Sequence, residues 1–238
     1  MEYDHGVRVT PLAHEMTALE AGILEYQRQV EQYHQDKAKA CATDEERFAN
    51  DEKLAQRREF LDSRRRDLLT QAQVQEGLHK YREGARLEDN EWIYDEEHHP
   101  TGQLVQFMES EGDVKPADNC QAHHIIPGKG WRSMQQIAAR LKLHDCNVGI
   151  NDPANGVWLP AEIQHVPHFI RSLRRALPHG PLHTKKYEMW ANNSVRAAHN
   201  ESTARMALNR MRTRLLNGLD DLDLIGTLTQ KSRKRLGL

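Results

Sequence analysis

The sequence predicts a mainly α-helical protein with a small two-stranded β element in its C-terminal half. Hydrophobic residues make up 38% of the 238 residues and charged residues 29%, while aromatic residues are scarce, a composition typical of helical rather than β-rich proteins. Apolar residues recur three and four positions apart in the N-terminal half, which is the periodicity of an amphipathic helix. Two short β-like runs, 121–127 and 156–160, follow in the C-terminal half.

The N-terminal region, residues 1–90, is predicted to fold as a helical hairpin. Apolar residues over 12–40 alternate in steps of four and three, the heptad-like stripe of a long helix. The segment 43–46 has the pattern of a capping box and begins a second helix, along which leucines recur every seven residues at Leu54, Leu61 and Leu68. We interpret the stripe as the hairpin's own core. The alternative is a docking arm for a partner or a delivery apparatus.

Three further segments follow in the predicted organisation. Residues 91–119 form an acidic connector interrupted by Gly and Pro, with one short helix or strand near residues 104–108. Residues 120–217 form a second domain, and residues 218–238 form a basic tail. Within the second domain we expect the two β runs, a helix over 134–143, a helix over 160–177 that Pro167 breaks, and a long helix from Pro181 or Thr184 to Leu216.

Charge is distributed unevenly along the chain. The net charge is -2, but residues 1–120 contain 15 Lys and Arg against 27 Asp and Glu, whereas residues 121–238 contain 18 against 8. A basic half beside an acidic one indicates nucleic-acid interaction in the basic part. No run of about 18 apolar residues is present, so we expect no membrane partner. The three cysteines are widely spaced, which indicates a reducing compartment rather than a disulfide framework.

Four histidines carry the chemistry that the sequence predicts. His123 and His124 are adjacent on the first β run, and neighbours on a strand point to opposite faces, so one imidazole can bind a metal while the other acts from a different angle. A neutral histidine, with its usual pKa of about 6.5, suits the removal of a proton from water in phosphodiester hydrolysis. His179 and His183 are four residues apart at a predicted helix start, a spacing at which two imidazoles can share a metal ion.

Three motifs follow one another along the chain: AHHIIP at 122–127, INDPANGVWLP at 150–160 and HGPLHTKKY at 179–187. In this order they resemble the AHH family of nuclease toxins, a branch of the HNH/endonuclease VII superfamily. The resemblance covers roughly residues 120–190. It implies a ββα-metal (His-Me finger) core, in which two strands and one helix hold a single divalent ion: Zn, Mg, Mn or Ni.

The resemblance also implies roles for individual residues. His123, His179 and His183 resemble the metal ligands, in a three-histidine arrangement similar to that of colicin-type DNases, and His124 resembles the general base. Asn155 resembles the asparagine that pins the loop between the strands and helps to orient the base. Tyr187 stands at the family's tyrosine position, where a structural role is implied.

The sequence leaves an alternative set of ligands open. Residues 161–178 separate the second strand from the predicted ligand pair, so His165 and His168, which lie in this segment, are alternative ligands. The family context favours His179 and His183. The basic residues around the ligand pair are expected to hold phosphate without reading base sequence: Arg171, Arg174, Arg175, Lys185 and Lys186.

These observations predict a metal-dependent endonuclease, acting on DNA with little sequence preference. The family resemblance implies a bacterial antagonistic toxin, made in the bacterial cytoplasm and neutralised by a cognate immunity protein. The N-terminus lacks the pattern of a cleaved secretory signal, so delivery by a secretion-system carrier, as in type VI secretion, is the expected route. The alternatives are an RNase, or a non-catalytic nucleic-acid-binding module whose zinc is closed by a fourth ligand such as Cys120 or His165.

Overall fold

The computed structural model describes residues 3–5, 7–8, 12, 14–87, 96, 101–128, 134–218 and 224. The chain divides into two compact units, one of Met1–Glu76 with Ser110–Gly112 and the other of Gly77–Glu109 with Asp113–Leu238. The second unit, which carries the predicted site, therefore begins upstream of the predicted boundary at residue 120. Among the described helices, none combines the length and the apolar character needed to cross a bilayer.

The first unit contains the predicted pair of long helices. A short antiparallel ladder joins β1 (Tyr3–Asp4) to β2 (Val7–Arg8), and helix α1 (Ala18–Lys37) follows. Helix α2 (Asp44–Arg86) begins where the capping pattern predicts, because the Thr43 hydroxyl accepts a hydrogen bond from the Glu46 amide at 3.2 Å. It extends beyond the predicted stripe, and its last turns belong to the second unit.

The two helices of the first unit fold back on one another. Gly22 of α1 lies so close to α2 that a Cβ there would come within 3.0 Å of the Leu68 side chain. Leu61 and Leu68, two of the heptad leucines, are buried. The helical hairpin predicted from the stripe is therefore present, and at least this part of the stripe packs inside it.

Among its described residues, the second unit contains a two-stranded sheet, the last turns of α2 and four further α-helices. The helices are α3 (Thr101–Ser110), α4 (Met134–Asp145), α5 (Lys185–Val195) and α6 (Glu201–Asn217). Helix α3 occupies the middle of the predicted acidic connector, and α4 matches the predicted amphipathic helix.

Two helix predictions in this unit are wrong. The segment predicted as a helix over 160–177 with a break at Pro167 holds only short 3-10 turns, at Ile163–His165 and Arg171–Leu173, on either side of that proline. Proline has no amide hydrogen to donate to a helical carbonyl, which explains the interruption. The long helix predicted to reach Leu216 is divided into α5 and α6, because the Asn200 side chain accepts a hydrogen bond from the Thr203 amide at 2.9 Å and caps a new helix.

The sheet pairs β3 (Cys120–His124) with β4 (Gly156–Pro160) in antiparallel register, so that His124 faces Gly156. The strand predicted at 156–160 is confirmed in both bounds. Together with α5, these strands form a small ββα core, and every residue of β4 is buried. Gly156 packs beneath α3, where an added Cβ would collide with the Met108 side chain and lie 3.0 Å from Leu104.

We predict that Gly156→Ala lowers the free energy of unfolding by about 1–3 kcal/mol, the usual cost of overpacking a filled core. Met108 is fully buried and has little room to move away from the new methyl group. Chemical denaturation monitored by circular dichroism measures the change. Gly102→Ala is the matched control, because nothing lies within 4 Å of a Cβ at that helical position. Equal stability of the two variants would contradict the proposed packing.

Candidate active site

Strand β3 directs its two adjacent histidines to different neighbours. His123 is 2% exposed, and its Nε2 lies 2.9 Å from the Tyr187 hydroxyl of α5. His124 is 7% exposed, and its Nε2 lies 3.0 Å from Oδ1 of Asn151. The two imidazoles therefore point away from each other, as expected for neighbours on an extended strand.

His123, His179 and His183 form a cluster that could hold a metal ion. Each of the three rings offers one nitrogen, and these nitrogens all lie within 4.8 Å of one another. Nε2 of His183 is 3.1 Å from Nε2 of His179. Two imidazole nitrogens bound to one zinc at about 2.0–2.1 Å stand about 3.3 Å apart in tetrahedral geometry, so this pair has the spacing of a chelating pair.

The prediction that His179 and His183 lie at the start of an α-helix is wrong. They flank a short 3-10 helix, Gly180–Leu182, that precedes α5. The Thr184 hydroxyl accepts a hydrogen bond from the Tyr187 amide at 3.1 Å, so the α-helix begins only at Lys185. The two rings nevertheless meet, because the 3-10 turn brings residues at its two ends together.

Hydrogen bonds decide which nitrogen of His123 can face a metal. The Tyr187 hydroxyl donates its one proton to the Ile125 carbonyl at 2.8 Å, so its oxygen accepts from Nε2–H of His123. The lone pair of His123 is therefore on Nδ1. In the same way, Nδ1–H of His179 donates to Oε1 of Gln121 at 2.7 Å and leaves the lone pair on Nε2. Histidine ligands in metal sites typically have such partners on the nitrogen that does not bind the metal.

Burial keeps His123 and His179 of this cluster neutral. Burial, reinforced by the neighbouring histidines, lowers the pKa of His123 well below its usual range. Burial and the His183 ring lower the pKa of His179 to about 4. A neutral imidazole is the form that binds a metal, so the donor set fits a divalent cation.

Asn155 fixes one end of the sheet by bonding to the backbone. Its Nδ2 donates to the carbonyls of Ile126 at 3.0 Å and Ile150 at 2.8 Å, and its Oδ1 accepts from the Ile126 amide at 2.7 Å. The backbone carbonyl of Asn155 also accepts from the Ile125 amide at 2.7 Å. Asn155 is fully buried and pins the segment after β3 to the loop before β4. The side chain that bonds to the His124 ring is instead Asn151, which sequence analysis missed.

The alternative ligands His165 and His168 lie outside the cluster. Nε2 of His168 is 2.9 Å from Oδ1 of Asn119 and 3.7 Å from the Cys120 sulfur. Nδ1 of His165 accepts a hydrogen bond from the Glu162 amide at 3.2 Å. Within the described residues, the three-histidine group contains neither of them.

A nuclease family model matches the C-terminal half of the chain. Residues 104–221 match the AHH family, described as a nuclease family of the HNH/ENDO VII superfamily with conserved AHH. The C-terminal half of this chain is an AHH nuclease domain. The conserved motif corresponds to Ala122, His123 and His124 on β3. No curated protein and no solved structure matches the chain.

Nucleases of this kind are phosphodiester hydrolases, and the AHH domain has a cavity beside its histidines. The cavity has a volume of about 600 Å³ and is lined by both β3 histidines, His179 and His183. Lys115 is the cationic side chain among the described residues that line it. The five predicted phosphate contacts are exposed but do not line the cavity: Arg171, Arg174, Arg175, Lys185 and Lys186.

Asp152 anchors the loop that carries Asn151 and Asn155. Its carboxylate is 1% exposed and accepts hydrogen bonds at 2.8 Å from Arg82 of α2 and from Arg205 of α6. Burial raises the pKa of Asp152, but the hydrogen bonds and charges of Arg205 and Arg82 outweigh burial and lower the pKa to about 2. The ionised carboxylate therefore stabilises the folded domain.

We predict that this stabilisation disappears in acid. An unfolded Asp has a pKa of about 3.9, above that of folded Asp152, so the stabilisation is complete above that pH and is lost as the pH falls through the folded value. Asp152→Asn should lower the free energy of unfolding by about 2–3 kcal/mol at neutral pH, a difference that shrinks between about pH 4 and pH 2. Urea denaturation at a series of pH values measures it. Asp118→Asn, on an exposed turn, is the control, and a pH-independent difference would contradict the ion-pair account.

Proposed function

We propose that this chain is a metal-dependent endonuclease in which His123, His179 and His183 hold one divalent ion and His124 acts as the general base. The observation that carries the proposal is the convergence of three histidine nitrogens within 4.8 Å of one another. The fourth histidine, His124, lies next to His123 on β3. In His123 and in His179, one ring nitrogen donates a hydrogen bond to a protein partner, so the lone pair is on the other nitrogen. This arrangement supports a metal site rather than incidental histidines.

His124 takes a proton from the attacking water in the proposed reaction. It lines the same cavity as the three ligands, so a phosphodiester in the cavity can reach both. When bound, the divalent ion would neutralise charge on the phosphate and stabilise the departing oxygen. Three imidazole nitrogens suit zinc and nickel among the predicted cations, and magnesium and manganese are the other candidates.

A catalytic site is favoured over a structural zinc by the size of the ligand set. Structural zinc is normally closed by four protein ligands, whereas a catalytic site keeps a position open for water or substrate. Within the described residues the group contains three histidines and no cysteine or carboxylate. Cys120, the proposed fourth ligand of the binding-module alternative, lies beside His168, and burial raises the pKa of its thiol.

The proposed substrate is DNA, cut with little sequence preference, and RNA is the alternative. The family resemblance supports the further proposal that the enzyme is a bacterial toxin or effector with a cognate immunity protein. Delivery into target cells by a secretion-system carrier, such as a type VI apparatus, rests on the same resemblance.

We predict that the purified protein nicks or linearises plasmid DNA when a divalent cation is supplied. His124→Ala should lower the cleavage rate by about 100-fold or more, because a positioned general base contributes roughly 10²–10⁴ to the rate. EDTA should abolish cleavage in the wild type. Gel assays with magnesium, manganese, nickel and zinc measure the rates. His199→Ala, which removes an exposed histidine, is the matched control.

Two outcomes would redirect the proposal. Plasmid that is bound but never cut with any cation would favour the non-catalytic binding module. Cleavage of RNA alone would keep the catalytic proposal and replace its substrate.

We predict that Lys115 holds substrate phosphate in the cavity. Lys115→Ala should raise KM several-fold with little change in kcat. The slope of log affinity against log salt concentration should become shallower by about the amount expected for the loss of one phosphate contact. Steady-state cleavage of a labelled duplex at several salt concentrations measures both. Lys142→Ala is the control, since Lys142 pairs with Asp145 and is not a lining residue. An unchanged KM in Lys115→Ala would contradict this contact.

A further inference from the structure

The orientation of the Asn151 amide is set by its surroundings. Its Nδ2 lies 2.6 Å from Oε1 of Glu96 and 3.3 Å from Oε1 of Gln103, two oxygens that accept hydrogen bonds. The amide nitrogen must therefore face these oxygens, and Oδ1 must face His124. Because Oδ1 can only accept, the 3.0 Å contact requires a proton on Nε2 of His124.

Glu96 is itself held by three donors. The Tyr81 hydroxyl donates to Oε1 at 2.6 Å, Asn151 donates to the same oxygen, and the Ile150 amide donates to Oε2 at 3.3 Å. The Tyr81 hydroxyl in turn accepts from the backbone N–H of Asn151 at 3.0 Å. A carboxylate with several donors has one strongly preferred orientation, so it fixes the amide that it contacts.

We propose that Asn151 and Glu96 are positioning residues that fix the tautomer and ring orientation of His124. The pair keeps the proton on Nε2, so that the lone pair on Nδ1 is the one that can receive a proton. The inference rests on the proposed role of His124 as general base. A base held in the wrong tautomer is inactive even when its position is unchanged.

The proposed device extends beyond the segment that matches the AHH family. Tyr81 lies on α2, Glu96 lies between α2 and α3, and Gln103 lies on the first turn of α3, all upstream of residue 104. Asn151 lies inside the matched segment. A region that the sequence assigned to a hairpin and a connector therefore contributes to the nuclease site.

An exchange of the two groups tests the direction of the hydrogen bonds. In Asn151→Asp, two carboxylates face each other where the amide and Glu96 now meet at 2.6 Å, so the contact is lost. Glu96→Gln removes the charged acceptor. In the double variant E96Q/N151D, the new amide can donate to the new carboxylate, whose other oxygen again accepts from Nε2–H of His124. A role in packing alone would give no recovery in the double variant.

We expect kcat to fall about 100-fold in Asn151→Asp and about tenfold in Glu96→Gln, and to rise at least about tenfold from Asn151→Asp to the double variant. KM should stay within twofold, because neither residue lines the cavity. Glu109→Gln, on the exposed side of α3, is the matched control and should leave kcat unchanged. A double variant as slow as Asn151→Asp, with thermal stability like that of the wild type, would overturn the proposal.

Imidazole ¹⁵N chemical shifts of the full chain supply a test that needs no activity. The proposal requires the Nε2–H tautomer of His124 in the wild type and a mixed or reversed tautomer in Asn151→Ala, which has no side-chain oxygen to accept from Nε2–H. The Nδ1–H tautomer in the wild type would overturn it. If the wild type cuts neither DNA nor RNA, the proposed function fails, and the tautomer measurement still decides the positioning claim.

Discussion

Asn155 makes the contacts on which the geometry of the site depends. Its buried amide bonds to the backbone of Ile126 through both a donor and an acceptor, and to the Ile150 carbonyl. Neither segment continues the β ladder at these positions, so without the amide these buried backbone groups would need other partners. By fixing the chain directly after His124, these hydrogen bonds determine where β3 ends and in which directions the His123 and His124 side chains point.

The two adjacent histidines of β3, His123 and His124, have different hydrogen-bond partners. On one side, Tyr187 connects His123 to the Ile125 carbonyl and places the His123 lone pair on Nδ1. On the other side, Asn151 accepts a hydrogen bond from His124. Adjacent residues of one strand thus receive different hydrogen-bond partners, which is how two identical side chains can take the roles of ligand and base.

Sequence periodicity and motif order predicted the parts of the molecule that depend on local chemistry. Short patterns predicted the strand at 156–160, the capping of α2 by Thr43 and the meeting of His123 with His179 and His183. Local signals also account for two errors. The helical pattern over 160–177, with its expected break at Pro167, forms only 3-10 turns, and the pattern across Asn200 was predicted to continue.

The contacts that sequence analysis missed join residues far apart in the chain. Glu96 reaches Asn151 across 55 residues, and Arg82 reaches Asp152 across 70. In the sequence, Glu96 is one of several acidic residues in a polar stretch, and nothing in its neighbours marks it. Its environment exists only once α2, α3 and the loop before β4 have packed together. Tertiary contacts of this kind carry no local periodicity, which is why the residues that position His124 escaped the motif analysis.

The most direct test of this account is a crystal structure of the full chain grown with zinc, with anomalous diffraction recorded at the zinc absorption edge. The account predicts one ion bonded to His123, His179 and His183 at about 2.0–2.1 Å, with no bond to His124. An ion bonded instead to Cys120, His165 or His168, or to His124, would contradict the assignment of ligands and base.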